Sequence, residues 1–358
     1  MKKKILISTG GSGGHVIPAT IFYEQLKNEF DVFLTTDKRG CRFLNLEKYK
    51  FTVINSPNLT SNLFLLPFNL FGLFFSIIKS LIFLKKKKIE VLISTGGYMS
   101  LPICMAAKIL SIRLYLFEPN MVLGRANSIF LRYAKKIFCY SNEIINFPKR
   151  YISKVLLIDP LLRKEFYSVT LNEKSEINDQ INLLVIGGSQ GAELFDNKLK
   201  KSIISLSKKY KLNIYQQTNS ISKKNLEDFY NQNNISYQLF NFEENILKFI
   251  SNANLCITRA GASTLSELTF LNIPYLAIPY PIAKDDHQFQ NALFYKNRNC
   301  CWILKQDDIN EDVLENNLIN IIQNKDDYLS KKKSMQNFSY KNTWNKINQK
   351  LISVINEN

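Results

Sequence analysis

Residues 253–292 read ANLCITRAGASTLSELTFLNIPYLAIPYPIAKDDHQFQNA, and the order of signals in this run decides the fold. Leu255-Cys256-Ile257 is a short apolar strand, and Arg259-Ala260-Gly261-Ala262 turns the chain out of it. Ser263 has the chemistry of a helix N-cap, and Leu265, Leu268 and Leu271 follow at i, i+3 and i+6, so a helix is expected to start at Ser263. A strand, a turn of small residues and a helix N-terminus bring together unbonded backbone N–H groups and the positive end of a dipole, which suits a phosphate. Glu267 comes one position too late for a capping box with Ser263, so the helix end does not claim its carboxylate. One turn from a phosphate, that carboxylate is placed for ribose hydroxyls. Residues 273–279 then read as a second strand delivering Asp285-Asp286-His287-Gln288, a polar run suited to a sugar. An ordinary αβ unit with a polar loop has the same pattern, so this stretch by itself leaves both readings open.

The chain has 358 residues, enough for two α/β domains, and its 46% hydrophobic content allows each a full core. Lys2, Lys3 and Lys4 lead straight into Ile5-Leu6-Ile7, too short an apolar run for a signal peptide, so none is expected. Cys41, Cys104, Cys139, Cys256, Cys300 and Cys301 have no CxxC or zinc spacing and read as reduced core thiols. The net charge of +17 fits nucleic acid, an anionic membrane face or a phosphorylated substrate. The chain is crowded with Lys, Asn, Ile and Phe, and no basic patch interleaved with stacking aromatics stands out, so nucleic acid is not the expected partner.

From the N-terminus, Lys4–Ser8 is a strand that opens into Thr9-Gly10-Gly11-Ser12-Gly13-Gly14-His15, with a helix after it. Four glycines within five residues let backbone approach a ligand at a strand C-terminus. The dehydrogenase fingerprint fails, because Gly11-x-Gly13 requires glycine at 16 and Val16 is there. His15, at the mouth of this loop, is either a solvated or capping residue or a group that handles a proton. Residues 31–35 and 51–54 are further strands. The apolar run 63–84 ends in Lys85-Lys86-Lys87-Lys88, and Gly72, Ser76, Lys79 and Ser80 fall on one narrow stripe of it. An interfacial helix lying on an anionic leaflet is the expected reading, ahead of a buried helix and a true span.

Val91–Ser94 with Gly96-Gly97-Tyr98 repeats the strand-then-glycine design, and the strand at 114–117 leads into Glu118-Pro119-Asn120. Alternating strands and helices predict a doubly wound parallel sheet. Pro148, Asp159-Pro160 and the polar run 172–180 mark a domain break. Residues 181–186 restart the pattern with Gly187-Gly188-Ser189-Gln190-Gly191-Ala192, and strands are expected at 214–217, 237–240 and 300–304. Residues 330–358 read as helical, with Trp344, Ile347 and Leu351 on one face.

Two Rossmann-like halves with glycine loops resemble the GT-B glycosyltransferase fold, in which the loops face a shared cleft. GGSGGHVIPA (10–19), GGYMSLP (96–102), EPNMVLGRAN (118–127), GGSQGA (187–192), RAGASTLSEL (259–268) and DDHQFQNA (285–292) further resemble the MurG family in order and spacing. That family transfers GlcNAc from UDP-GlcNAc to undecaprenyl-pyrophosphoryl-MurNAc-pentapeptide (lipid I), making lipid II of peptidoglycan. The resemblance implies an acceptor domain at 1–160, joined by a C-terminal helix at 341–358, and a UDP-GlcNAc-binding domain at 161–340. It implies a peripheral position on the cytoplasmic face of the bacterial inner membrane, with residues 63–88 on the lipid.

The resemblance also implies residue roles. Ser189 and the helix start at Ala262, Ser263, Thr264 and Leu265 hold the diphosphate, with Ser266 a weaker candidate as a possible N3 residue. Glu267 takes the ribose hydroxyls and Gln288 the GlcNAc ring. Arg163 and the backbone near Glu243 lie by the uracil, and Ser12, Gly13, Gly14 and Asn120 reach toward donor sugar and acceptor. The family usually reads HEQN where this chain has Phe117-Glu118-Pro119-Asn120, and GNPxR where it has Asp159-Pro160-Leu161-Leu162-Arg163. The expected reaction is an inverting single displacement with His15 as base and Glu118 as its rival. No DxD or His/carboxylate cluster stands out, so neither a metal nor a cofactor is expected beyond the donor substrate itself. A transferase with a different acceptor and a catalytically idle nucleotide-sugar binder are the remaining readings.

Overall fold

The computed structural model describes residues 2–45, 47–56, 66–169, 177, 180–339 and 341–357, the side chains of 66, 189–192 and 284 excepted. The chain divides into two compact units, Met1–Leu162 with Asn342–Asn358, and Arg163–Lys341. Unit one holds β1 (Lys4–Ser8), β2 (Asp31–Thr36), β3 (Phe51–Val53), β4 (Val91–Ser94), β5 (Arg113–Glu118), β6 (Lys136–Cys139) and β7 (Val155–Leu157). Their order across the sheet is β3-β2-β1-β4-β5-β6-β7, and every pairing is parallel. Unit two holds β8 (Gln180–Ile186), β9 (Lys211–Gln217), β10 (Ser236–Phe240), β11 (Leu255–Thr258), β12 (Tyr275–Ala277) and β13 (Cys301–Ile303). Its order is β10-β9-β8-β11-β12-β13, again all parallel.

Parallel sheets carry helices on both faces, so their strands are buried on both sides and read as unbroken apolar runs. Unit one follows that rule with period two. Ile5, Ile7, Val91, Ile93, Tyr115 and Phe117 point into one core, while Leu6, Leu92, Leu114 and Leu116 point into the other. The first core also takes Ile347, Leu351, Val354 and Ile355 from the C-terminal helix Trp344–Asn356, which therefore belongs to unit one. In unit two, Leu183, Val185, Ile214, Leu255 and Ile257 pack against Phe195, Ile203 and Leu318 from the flanking helices.

Several expectations need adjusting. The last two strands of the sheet, β6 and the edge strand β7, carried no readable signal: they have four and three residues, and β7 is only half-buried. The expected 330–358 helix is two helices, Lys325–Ser339 and Trp344–Asn356, because Thr343 starts a new one. The expected domain break at 172–180 lies outside the described residues except at 177 and 180.

Helix Leu66–Lys87 is turned inside out relative to a soluble amphipathic helix. Its small polar residues face the protein: Ser76 is 8% exposed and Ser80 fully buried. Ser76 Oγ donates to Asn55 O (2.8 Å) and Gly72 O (2.9 Å), and Ser80 Oγ donates to Ser76 O (2.7 Å). Lys79, on the same predicted stripe, is exposed. The large apolar side chains Phe68, Leu70, Phe71, Phe74, Phe75 and Ile82 are all exposed, Phe68 to 77%. Residues 63–65 of the predicted run lie outside the described residues.

Candidate functional site: two sheet switch points

In an open parallel sheet the order of strands reverses once, and the loops leaving the two central strands part there to form a crevice. Each unit has one such point, between β1 and β4 and between β8 and β11. The glycine loops found in the sequence leave those four strands.

In unit two, the turn after β11 runs into helix Ala262–Phe270, capped by Gly261 with φ −70° and ψ 134°. The expectation that Ser263 caps the helix is corrected. Gly261 already has the extended geometry a cap needs, so the cap lies two residues earlier than expected and Ser263 is the second residue of the helix. No side chain caps this end, and the first helical bond runs from Leu265 N–H to Gly261 O (3.0 Å). The N–H groups of Ala262, Ser263 and Thr264 therefore have no helical acceptor. Leu265 has no group left to offer, its N–H taken and its side chain buried. The idea of Ser266 as N3 is also corrected: it lies deeper in the helix, where its Oγ donates to Ala262 O (2.8 Å) and hydrogen-bonds Tyr295 OH (2.9 Å).

Glu267 is 6% exposed. Its carboxylate is not idle, since Arg163 Nη2 donates to Oε1 at 2.8 Å. The same guanidinium donates through Nη1 to Glu244 O and rests on the Phe166 ring, 5.1 Å from its centre. Burial pushes the Glu267 carboxyl above its ordinary range, and Arg163 opposes that rise. The structure thus joins Arg163, the 243–244 backbone and Glu267, which the sequence placed around one nucleoside by resemblance alone. The Glu243 carboxylate itself turns to Lys248 Nζ (2.6 Å) and Asn245 N (3.0 Å). Gln288 Oε1 accepts from Ala260 N (3.1 Å) and Tyr280 N (3.0 Å), so it ties the β11 and β12 exits together rather than hanging free. On the β8 side, Gly188 at φ +67° donates its N–H to Gln217 Oε1 (2.9 Å) at the start of helix Gly188–Lys198. The backbone of Ser189 lies in that first turn, and its side chain is outside the described set.

Sequence reasoning missed Arg259. It is 6% exposed, lies 5.2 Å from the centre of the Phe195 ring and 5.3 Å from that of Tyr280, and donates to Ile278 O, Pro279 O and Gln306 Oε1. Burial lowers its pKa to about 10, so it stays charged at neutral pH, and among the described residues no carboxylate forms an ion pair with it. The signal was an arginine directly after an apolar strand, a costly place for a charge.

In unit one, Ser12 caps helix Gly13–Leu26 with extended geometry and no side-chain bond of its own. Ser12 O takes the N–H groups of His15 (3.0 Å) and Val16 (3.1 Å), leaving those of Gly13 and Gly14 without helical acceptors. His15 Nδ1 lies 2.8 Å from Thr95 O. A carbonyl only accepts, so Nδ1 carries the proton and Nε2 the lone pair of the neutral ring. Gly97 has φ +79°, and a Cβ there would stand 3.2 Å from His15 Cδ2 and 3.3 Å from Nε2. Glycine is required twice over at that position, for its backbone and for the imidazole it leaves room for.

Glu118, the rival base, is corrected to a structural role. Its Oε1 accepts from Asn120 N (3.3 Å) and Asn120 Nδ2 (3.0 Å), and its Oε2 from Gly124 N (2.7 Å) and Asn127 Nδ2 (2.9 Å). Four donors hold a carboxylate that is 3% exposed. Asn127, which the sequence reading passed over, also donates to Phe117 O (2.9 Å). Among the described residues no group of three or more His, Cys, Asp or Glu side chains has the arrangement of a metal site.

The chain as a whole is similar to known proteins. Residues 5–139 match the glycosyltransferase family 28 N-terminal domain and residues 182–347 the family 28 C-terminal domain. A Pelagibacter ubique protein named UDP-N-acetylglucosamine--N-acetylmuramyl-(pentapeptide) pyrophosphoryl-undecaprenol N-acetylglucosamine transferase is 56% identical over 358 residues, covering 100% of both chains. A Rickettsia prowazekii protein of the same name is 32% identical, covering 90% of this chain and 92% of its own. Among solved structures, Acinetobacter baumannii MurG superposes with a TM-score of 0.76 at 23% identity, covering 99% of each chain. The chain belongs to the MurG family of glycosyltransferases, with the GT-B fold.

Proposed function

We propose that this chain transfers GlcNAc in a single inverting displacement, with unit two holding the donor and unit one supplying the base. Family membership makes it a UDP-GlcNAc-dependent N-acetylglucosaminyltransferase of peptidoglycan synthesis, converting lipid I to lipid II. The observation that carries the finer reading is the open start of helix Ala262–Phe270, with Glu267 one turn in.

The N–H groups of Ala262, Ser263 and Thr264 take the diphosphate, joined by the glycine loop that carries Ser189. The Glu267 carboxylate accepts hydrogen bonds from the two ribose hydroxyls, and Arg163 favours its ionised form against the effect of burial. Gln288 retains its amide N–H donors for the sugar while its oxygen is held. The MurNAc C4 hydroxyl attacks C1 of GlcNAc on the face opposite UDP. The C1–O bond breaks, UDP leaves with the electron pair, and the hydroxyl proton passes to His15 Nε2. Donors aimed at the departing phosphate stabilise the charge that develops there. Thr95 O fixes the ring so that Nε2 is the basic nitrogen. Ser12, Gly13, Gly14 and Asn120 belong to the acceptor side. No metal enters this scheme, and EDTA is expected to leave the rate unchanged.

The exposed phenylalanines of helix Leu66–Lys87, followed by four lysines, support a place on an anionic leaflet, with Ser76 and Ser80 keeping the helix docked on the protein. Cosedimentation with vesicles rich in phosphatidylglycerol should fall in a Phe71→Ser/Phe74→Ser variant and be unchanged in Phe242→Ser.

The test of function is transfer of labelled GlcNAc to a lipid I analogue, with His15→Ala alongside. Loss of a general base costs about 100- to 10,000-fold in kcat. A near-normal kcat in a folded His15→Ala protein would remove His15 from the mechanism. UDP-GlcNAc binding without any transfer would favour a different acceptor or an idle binder.

A further inference from the structure

We propose that Asp37 is a positioning residue that sets the first glycine loop and, through it, the His15 imidazole. The inference rests on the reading of His15 given above.

Asp37 follows β2 directly and is 2% exposed. In dinucleotide-binding folds an acid about 20 residues beyond the glycine loop takes the ribose hydroxyls. Here both carboxylate oxygens are turned on the protein itself. Oδ1 accepts from Gly11 N at 2.7 Å and from Gly40 N at 2.9 Å. Oδ2 takes Arg39 Nε at 3.1 Å. These charge-assisted bonds are of the stronger kind. They outweigh the effect of burial and hold the Asp37 carboxyl below its usual range.

Gly11 is the residue at which the loop reverses, with φ +83°. Its N–H is the one Asp37 holds. The contact is close on every side. A Cβ on Gly10 would lie 2.7 Å from Asp37 Oδ1, and one on Gly40 would lie 2.1 Å from Thr36 Oγ1 and 3.2 Å from Gly10 Cα. The next residue, Ser12, is the cap whose carbonyl receives the N–H of His15, and His15 spans from there to Thr95 O. A chain of short contacts thus runs from Asp37 through Gly11 and Ser12 to the imidazole. Within the loop itself, Ser12 N reaches Gly10 O at 3.2 Å.

Asp37→Asn keeps the size of the side chain but removes its charge and turns an N–H2 group toward donors. The chain has two histidines, so the nitrogen resonances of His15 in protein labelled with 15N-histidine are assigned by comparison with a His287→Gln sample. In Asp37→Asn the His15 signals are expected to shift toward those of a tautomeric mixture while the His287 signals stay in place. The kcat for transfer should fall about 10- to 100-fold, the range for a catalytic group displaced by an ångström. The affinity for UDP, which unit two binds, should be unchanged. Arg39→Met, which leaves both backbone bonds in place, should produce a smaller shift of the same signals, and it decides the matter if Asp37→Asn does not fold. Unmoved His15 signals in a folded variant would overturn the proposal, as would an equal loss of UDP affinity, which marks general destabilisation. The histidine spectrum needs no substrate, so its outcome stands even if transfer to lipid I is not observed.

Discussion

The two switch points share one plan and differ in what props their loops. In unit one two of the props are carboxylates, one at the β1 loop and one at the neighbouring β5 loop, while Gly96 N in the β4 loop is held by Ser94 Oγ (3.2 Å). Asp37 holds Gly11 N and Gly40 N, and Glu118 holds Gly124 N and the amides of Asn120 and Asn127. In unit two the same job falls to neutral amides, Gln217 at Gly188 N and Gln288 at Ala260 N and Tyr280 N. Unit two also buries Arg259, with which no carboxylate among the described residues forms an ion pair. A buried carboxylate beneath a loop works against a second anion above it, whereas an amide prop adds no charge of its own beneath the N–H groups, and the buried Glu267 carboxylate is offset by Arg163. The difference supports the proposal that the diphosphate is held by unit two, with unit one left to chemistry on a neutral hydroxyl.

The largest effect is expected at Glu267. Truncation to Ala removes the ribose acceptor and strands Arg163, so UDP affinity should fall about 100-fold, as for two hydrogen bonds to a charged group. Unit two should also lose about 3–5 kcal/mol of stability, the cost of breaking a buried pair by removing one partner. Glu267→Ala that binds UDP normally would end the reading of this helix as the donor site. The comparison itself is tested most directly by Gln288→Glu. That change keeps an oxygen for Ala260 N and Tyr280 N but gives unit two the kind of prop unit one has. UDP affinity should drop about tenfold from one added charge in a partly buried site, with uridine affinity unaffected. An equal loss for both ligands would mean that loop geometry, not charge, was what the amide preserved.

The sequence made the plan legible and hid the props. Strand, glycine loop and helix are local patterns, so β1, β4, β8 and β11 and the loops leaving them could be read from residue order alone. Glu267 was readable for the same reason, sitting a fixed distance inside a recognisable helix. Asp37, Arg259 and Asn127 could not be found that way, because what each holds lies in a different loop: Gly11 is 26 residues from Asp37, and Ile278 is 19 from Arg259. Asp37 did leave a trace, an acid at the end of β2 after a failed dinucleotide fingerprint. Ser263 was misplaced because a serine is a better cap than a glycine by propensity, and the backbone of Gly261 overrode that preference. Helix Leu66–Lys87 showed its apolar length but not its orientation, since two buried serines look the same in sequence as two solvated ones.

Arg259→Met tests the positive half of the comparison. The side chain is replaced at similar volume, so the fold should hold or gain slightly, as buried charges often cost more than they return. UDP affinity should nevertheless weaken about fivefold while uridine binding stays, the mark of a charge acting at a distance. Acidity separates the units further. The Glu267 carboxyl sits above its ordinary range, so it takes up a proton at a higher pH than an ordinary carboxyl does, and UDP affinity should decline as pH falls through that raised value. Glu267→Gln should be flat across it. Asp37 lies on the other side of its ordinary range: its contribution is complete above the normal carboxylate pKa and is lost only as pH falls through the lower folded value. A shift of the Gly11 amide resonance, whose N–H Asp37 holds, in parallel with the loss of UDP affinity on mild acidification would contradict that ordering.

The smallest effects concern stability, and each unit offers a matched pair of reporters. The chain has two tryptophans, Trp344 in unit one and Trp302 in unit two, where Trp302 Nε1 donates to Asp327 (2.7 Å). Each unit also has a helix closed by a side-chain cap: Thr343 Oγ1 accepts from Lys346 N (3.3 Å) and Asn310 Oδ1 from Val313 N (2.8 Å). Removing such a cap costs about 1 kcal/mol, which for domains of this size is about 2–4 °C in Tm. Thr343→Ala should therefore lower the melting curve followed through Trp344 in a Trp302→Phe background. Asn310→Ala should lower the one followed through Trp302 in a Trp344→Phe background. The longer Thr343 bond predicts the smaller of the two shifts, because a hydrogen bond at 3.3 Å returns less than one at 2.8 Å. If either substitution moved both curves equally, the two units would be melting as one body. Differences between their loops would then have to be read from binding and spectra, never from Tm.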